Sequence, residues 1–435
     1  MRVLLIAHEF PPIPSPQSLR WAYLANELAL AGHEVHVLAP DHPGYGPAGG
    51  TPELNATIHV HRTFPGPLAW LLGRVRKRPK LGTRDWTLDL RASDAVTQGA
   101  PHVGLNWKGR LLDYLSRGYG ALWFPDARAE WTPWARRALR RLLETTRPDI
   151  VIASHEPAST LLLGLQARSQ GYRLLVDLGD PVLASYTPKR WRRRALQLEA
   201  AVCSQSDLLT VTSAATKALL VRRHAVAPER VQVLEQGFDH RLAPVPAGTP
   251  TPQGGLVLLY TGSFYSFRRA DQLVQAVLET PGTRLLVASP VAPQALQEAA
   301  QRHPESIRLL GHVSHRVALS LQRQADLLVN LANEFPEQVP GKVYEYLGAG
   351  RRILHIGSDG TDEVAFLLHR TGAGVACGWG RAEISAALCR IMTDFAGGNA
   401  SVRDEQLISR YAWSAHGHRL SGWLEAIAAL PPGTK

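Results

Sequence analysis

Short apolar runs rich in Leu, Val and Ile alternate with amphipathic helical stretches almost from one end of the chain to the other, and few folds tolerate that rhythm. "RVLLIA" is followed by "SLRWAYLANELALAG" and then "EVHVLA"; "DIVIAS" by "ASTLLLGLQARSQG" and "RLLVDL"; "DLLTVT" by "AATKALLVRR". The same alternation resumes later with "LVLLYTG", "RADQLVQAVLE", "TRLLVAS", "VALSLQRQAD", "DLLVNLA" and "RRILHIG". Runs of this kind are strands buried on both faces, joined by helices that return the chain to the same end of a parallel sheet. The fold class is α/β.

At 435 residues the chain is too long for one ordinary core, and two domains is the simplest partition. Periodicity is lost in "PVPAGTPTPQGG", which reads as a linker over 244–255. The first domain is then 1–243 and the second 256–413, with an amphipathic helix over 414–430 after the last strand signal. Within the first domain, about 65–131 carries Trp70, Trp86, Trp107, Trp123 and Trp131 among many prolines and glycines, and reads as a long insertion with short helices.

No stretch approaches the roughly 18 uninterrupted apolar residues of a membrane-spanning helix. "MRVLLIAHEF" reads as a buried strand and not as an export signal, because His8 and Glu9 follow the apolar run at once. The three cysteines are scattered, without a C-x-x-C pair, which argues against a disulfide framework or a zinc site and fits a reducing cytoplasm. A net charge of +11 favours anionic ligands or surfaces. Nucleic acid is the weaker use of that charge, since no recognition module or stacking platform accompanies the basic runs.

In open α/β sheets ligands bind outside the carboxyl ends of the strands, so the loops that follow strands are where chemistry belongs. Four stand out. "HEFPPIPSPQSLR" leads into a helix whose start near Ser15 could offer backbone N–H groups. "SHEPAS" places His155 directly after a strand, where an imidazole can bond a substrate hydroxyl or steady charge; a surface histidine is the plainer alternative. "YTGSFYSFRRADQL" has the make-up of a phosphate seat: Gly262 for close backbone approach, Ser263 as donor, and Arg268 or Arg269 for the planar fork that suits phosphate oxygens. In "NEFPEQVPGKVYEYLGAG", Pro340 suits the first helical position, which leaves Glu337 in the loop and puts Glu345 in the second turn. Lys342 and the first-turn N–H groups, Val343 among them, face the same space, where the helix dipole welcomes an anion. A carboxylate such as Glu345 can hold both hydroxyls of a ribose, and Glu337 another hydroxyl-bearing ring.

"EQVPGKVYE", an E-x7-E element, together with "LLIAHEFPPI…LANELALAGHEVHVLA", "VLEQGFD", "YTGS" and "YEYLGAGRRIL", resembles the family-4 retaining glycosyltransferases of the GT-B fold. Within that family the likeness is to enzymes of bacterial cell-surface polysaccharide synthesis. The resemblance runs over nearly the whole chain and is weakest from Pro65 to Arg128. It implies two Rossmann-like domains with parallel sheets facing across an interdomain cleft, the nucleotide sugar held mostly by the second, and a C-terminal helix crossing back to the first. By that match Glu345 binds the ribose, Glu337 the donor sugar, and Gly262, Ser263 and Arg268 the diphosphate; His155 falls near a family histidine that contacts the donor sugar. The sequence departs from the family at Ser15-Pro16, where paired glycines are usual, at Gly179 and Val182, where arginine and tryptophan are common, and at Ser263, where many relatives have arginine.

A departing diphosphate needs stabilised negative charge, and Arg268, Lys342 and the helix start could supply it without a metal. No aspartate has another two positions on, so the D-x-D metal motif is absent and no cofactor is expected beyond the nucleotide-sugar co-substrate. Two basic runs, Arg74 to Lys80 and Lys189 to Arg194, with the tryptophans of the insertion, suit either a solvated face or an anionic membrane surface and a lipid-linked or saccharide acceptor. The location expected is cytoplasmic, or peripheral at the inner face of the membrane. Two other functions fit the same features: a nucleotide-sugar epimerase or hydrolase, and a non-catalytic nucleotide-sugar-binding protein.

Overall fold

The computed structural model describes residues 1–42, 50–75, 124–185, 187–242, 255–264, 268, 270–333, 339–398 and 402–430. The chain forms two compact units. Of the described residues, those up to 75, 124–236 and 413–430 form the first, and 237–412 the second.

The first unit is built on seven strands: β1 (Arg2–Ile6), β2 (Glu34–Pro40), β3 (His59–Thr63), β4 (Ile150–Ser154), β5 (Arg173–Leu178), β6 (Leu208–Val211) and β7 (Val231–Val233). All pairs are parallel, in the order β3-β2-β1-β4-β5-β6-β7. Alternate residues of β1 enter different cores: Val3 and Leu5 one, Leu4 and Ile6 the other. The first core is closed by α1 (Pro16–Leu30) and the last helix, α14 (Trp413–Ala428), through Trp21, Leu24, Leu420 and Leu424. Tyr23 of α1 stacks on Trp413 at a centroid separation of 5.5 Å. The second core lies under α3 (Thr132–Thr146), α4 (Ser159–Ser169), α5 (Arg192–Gln205) and α6 (Ala214–His224). Each fully buried Leu or Val contributes about 1.5–3 kcal/mol, so two packed faces hold every strand in register. A short helix, α2 (Pro67–Val75), lies in the region read as an insertion; 76–123 lies outside the described residues.

The second unit repeats the plan with β8 (Leu256–Thr261), β9 (Thr283–Ala288), β10 (Ile307–Leu309), β11 (Leu327–Leu331), β12 (Arg352–Ile356) and β13 (Gly374–Cys377). They too are all parallel, in the order β10-β9-β8-β11-β12-β13. α7 (Asp271–Glu279), α8 (Gln294–Arg302) and α12 (Arg381–Ala396) cover one face. α9 (His315–Gln324), α10 (Gly341–Ala349) and α11 (Glu363–Thr371) cover the other, and α13 (Glu405–Ser409) precedes the return to the first unit's α14.

The units divide at 236/237, some way before the stretch read as a linker, because Phe238 packs on the α9–α10 core. Most of that linker, 244–254, lies outside the described residues. Strand order reverses between β1 and β4 in one sheet and between β8 and β11 in the other. In open α/β sheets the region beyond the carboxyl ends of such a strand pair is the crevice where ligands bind.

Candidate functional site

In the second unit, the crevice between β8 and β11 gathers most of the residues read as a nucleotide seat. β8 ends in Tyr260-Thr261, and Gly262 follows with a φ of +115°, a backbone region that L side chains seldom adopt. A Cβ on Gly262 would lie 3.8 Å from the Lys342 side chain, so the glycine is required by its backbone rather than by crowding. Arg268 reaches across the reversal: Nη2 donates to Asn333 Oδ1 beyond β11 at 2.8 Å, and Nη1 to the Ser263 carbonyl at 2.8 Å and the Tyr260 hydroxyl at 3.2 Å. Ser263 therefore meets the arginine through its backbone oxygen.

Lys342 lies in the first turn of α10. Its Nζ sits 3.9 Å from the centre of the Tyr260 ring and donates to the Thr261 carbonyl at 3.4 Å. Among the described residues it has no ion pair. Burial, and then the neighbouring Arg268, lower its pKa well below the ordinary lysine value; Glu345 acts in the opposite sense. Two cationic groups are thus held close together in a desolvated place, an arrangement that an anion would relieve.

The helix begins one residue later than the sequence suggested: Pro340, with φ −59° and ψ 136°, is the cap, and its carbonyl accepts from the Val343 N–H at 2.9 Å. That bond occupies the Val343 donor, and the Val343 side chain is fully buried in the core. Glu345 comes in the second turn, with Gln322 Nε2 3.3 Å from its Oε2 and His315 Nδ1 3.8 Å from its Oε1. Its side chain is 23 % exposed, so lone pairs remain open to a ligand. Gln322 and His315, both from α9, were missed in the sequence, where they look like ordinary polar helix positions. Arg269 and Glu337 lie outside the described residues.

The first unit has its own crevice, and the same dipeptide borders it twice. His8-Glu9 follows β1 and His155-Glu156 follows β4, a repetition visible in "AHEF" and "SHEP" that could have drawn attention to the pair. Both imidazoles are buried, and each leaves Nδ1 without a partner among the described residues. Burial lowers the His155 pKa to about 4, against the opposing pull of Asp180, and that of His8 well below its usual value, with His42 and Arg128 adding to the effect. Both are neutral at physiological pH. Glu156 is held at a φ of +68°. Its carboxyl is hemmed in by protein although the residue as a whole is exposed; that desolvation, then Asp180 and Glu9, push its pKa up to about 7. Arg128 pairs with Glu9 at 2.7 Å.

Gln17, in the first turn of α1, braces this loop by donating to Ser154 Oγ (2.9 Å) and to the His155 carbonyl (3.1 Å). Ser15 caps α1 by accepting from the Ser18 N–H at 3.1 Å. Behind the crevice, Arg20 and Asp177 form a fully buried ion pair that the sequence did not reveal.

Residues 96–242 match the family model described as Glycosyltransferase Family 4. No curated protein matches the chain in sequence. Similar solved structures include Anabaena HepE in complex with UDP, at TM-score 0.59 and 12 % identity over 98 % of this chain and 100 % of that one. A glycosyltransferase from Rickettsia africae gives TM-score 0.61 at 10 % identity over 99 % of each chain. The UDP-GlcNAc 2-epimerase of Neisseria meningitidis bound to UDP-GlcNAc gives TM-score 0.50 at 12 % identity over 98 % and 100 %. At such identities the likeness carries the fold. The chain has a GT-B-like fold, and its residues 96–242 carry the likeness to glycosyltransferase family 4. Among the described residues of the GT-B chain, no group of three or more His, Cys, Asp or Glu is placed to hold a metal ion, and no helix is long and apolar enough to cross a membrane.

Proposed function

We propose that the protein is a retaining glycosyltransferase that moves a sugar from a nucleoside-diphosphate sugar to a saccharide or lipid-linked acceptor, in the synthesis of a cell-surface polysaccharide or glycoconjugate. The observation that carries this reading is the Arg268–Lys342 pair, the arginine buried and the lysine half-buried, beside Gly262 at the strand reversal of the second unit, with Glu345 one helical turn further on. Loss of the glycosyl group leaves negative charge on the diphosphate, and Arg268, together with Lys342 whose charged form the bound anion favours, stabilises it without a metal. Glu345 takes the ribose and Glu337 the donor sugar. His155, neutral, bonds a sugar hydroxyl. Uridine is the first base to try, since HepE was captured with UDP and with UDP-glucose. Incubation with a panel of UDP-, GDP- and ADP-sugars and saccharide acceptors should give transfer; tight nucleotide binding with neither transfer nor hydrolysis would leave a non-catalytic binder.

A second reading, as an epimerase, is favoured by the place of Glu156 directly after His155 at the carboxyl end of β4, where desolvation, Asp180 and Glu9 raise its pKa toward the range an acid–base group needs; an epimerase shares the fold. Conversion of the donor sugar in the absence of any acceptor separates the two.

For an acceptor carried on a lipid, a peripheral place on an anionic membrane is supported by the first unit. Arg136, Arg137, Arg140, Arg141 and Arg147 are all exposed on or just after α3. Beside them Trp134 meets Phe64 edge to face at 4.9 Å, both more than a third exposed, with Leu71 of α2 nearly half exposed. Lys189 to Arg194 is likewise exposed save for Trp191, over which Arg190 and Arg194 lie. Co-sedimentation with anionic but not neutral vesicles is expected; equal behaviour with both would remove this part of the proposal.

A further inference from the structure

We propose that Gln322 is a positioning residue for the nucleoside: its side-chain amide fixes the Glu345 carboxylate in the orientation that accepts both ribose hydroxyls. The inference rests on the reading of Glu345 as the ribose carboxylate. Gln322 lies in the last turn of α9 and is 1 % exposed, so no ligand reaches it and it acts only through its neighbours. Its Nε2 lies 3.3 Å from Glu345 Oε2 and 3.2 Å from Thr261 Oγ1, which accounts for both amide hydrogens. That geometry also settles which way round the amide sits. Turned over, it would set its carbonyl oxygen against the carboxylate, lone pair to lone pair.

The far end of this link is well anchored. The Thr261 N–H donates to the Tyr346 hydroxyl at 3.0 Å, the two hydroxyls lie 3.0 Å apart, and the Thr261 carbonyl accepts from Lys342. One chain of hydrogen bonds thus joins Glu345, through Gln322 and Thr261, to the lysine assigned to the diphosphate. A shift of the carboxylate is therefore a shift relative to the phosphate seat.

Gln322 Oε1, meanwhile, is buried with no partner among the described residues. A buried unsatisfied amide oxygen costs stability that an apolar side chain of the same shape would avoid. The amide is retained at that cost for its N–H groups, and the group they reach that a ligand can also reach is Glu345.

Calorimetric titration tests this with UDP, GDP and ADP and, for whichever binds, its 2′,3′-dideoxy counterpart, on wild type, Gln322→Met and Gln322→Glu. Wild type should prefer the ribonucleotide by about tenfold or more, as expected for hydrogen bonds to a charged acceptor. Gln322→Met should reduce that preference to about threefold or less while leaving the dideoxy affinity unchanged. Gln322→Glu should keep the preference at low pH, where the new acid donates its proton to Glu345. It should lose the preference as pH rises and the two carboxylates repel, a response that a purely structural role would not give. Full ribose preference in Gln322→Met, or a pH-independent preference in Gln322→Glu, would overturn the inference while the Glu345 reading stood. No preference in wild type would instead overturn the Glu345 reading, and this inference with it.

Discussion

Asp177→Asn changes one atom in a place where charge cannot be made good by water. Both Arg20 and Asp177 have side chains with no exposed surface. Arg20 Nε and Nη2 donate to the two carboxylate oxygens at 3.0 and 2.9 Å, and Nη2 and Nη1 to the carbonyls of Leu234 and Glu235 at 2.8 Å each. Thr210 adds a bond to Asp177 Oδ1 at 2.7 Å. The pair thereby ties α1 to β5, β6 and the end of β7. Asparagine keeps the shape and removes the charge, leaving a buried guanidinium uncompensated; breaking such a pair costs about 3–5 kcal/mol. For a unit of this size each kcal/mol lowers the melting temperature by about 2–4 °C, so a fall of about 6–20 °C is expected. Replacing both residues, as Arg20→Met with Asp177→Leu, should recover most of the loss because no charge is then stranded. Tryptophan fluorescence during thermal and urea unfolding reads the first unit selectively: Trp21, Trp131 and Trp413 are buried there, and Trp379 is the one described tryptophan of the second. A loss below about 1 kcal/mol for Asp177→Asn, or a double variant no better than the single one, would refute this account of the pair.

Two further outcomes concern the nucleotide seat. Because the Lys342 pKa is lowered in the free protein and a diphosphate favours the charged form, nucleotide binding should take up a proton at pH values above the free-site pKa. Affinity should therefore fall as pH rises above the free-site value; binding heats measured in buffers of differing ionisation enthalpy should reveal the uptake in wild type and not in Lys342→Met. Gly262→Ala meets no steric obstacle but must hold a left-handed backbone, at a cost of about 1–3 kcal/mol. It should lower both the stability of the second unit and nucleotide affinity; an unchanged thermal-shift response to UDP would show that the glycine is dispensable.

The parts of the molecule legible in the sequence are those that local patterning encodes. Apolar runs mark β1, β2, β4–β6, β8, β9, β11 and β12 because those strands are almost wholly buried, whereas β3, β7, β10 and β13, partly exposed, carry no such run; "YTGS" and "VPGKVYE" disclose a glycine turn and a helix start. What stayed hidden is held by long-range bonds. Gln322 meets Thr261 across 61 positions and Glu345 across 23, and Arg20 meets Asp177 across 157, separations that no periodicity records. The neutral state of His155 is likewise a product of burial; composition shows only a histidine after a strand.

The central claim is that the crevice between β8 and β11 seats a nucleoside diphosphate with Glu345 on its ribose. Calorimetric titration of UDP, GDP and ADP into wild type and Glu345→Ala tests it most directly. One of the three should bind wild type and lose about tenfold or more in the variant, the worth of hydrogen bonds to a charged carboxylate. Equal affinity in the two proteins, or no binding of any of the three to wild type, would contradict it.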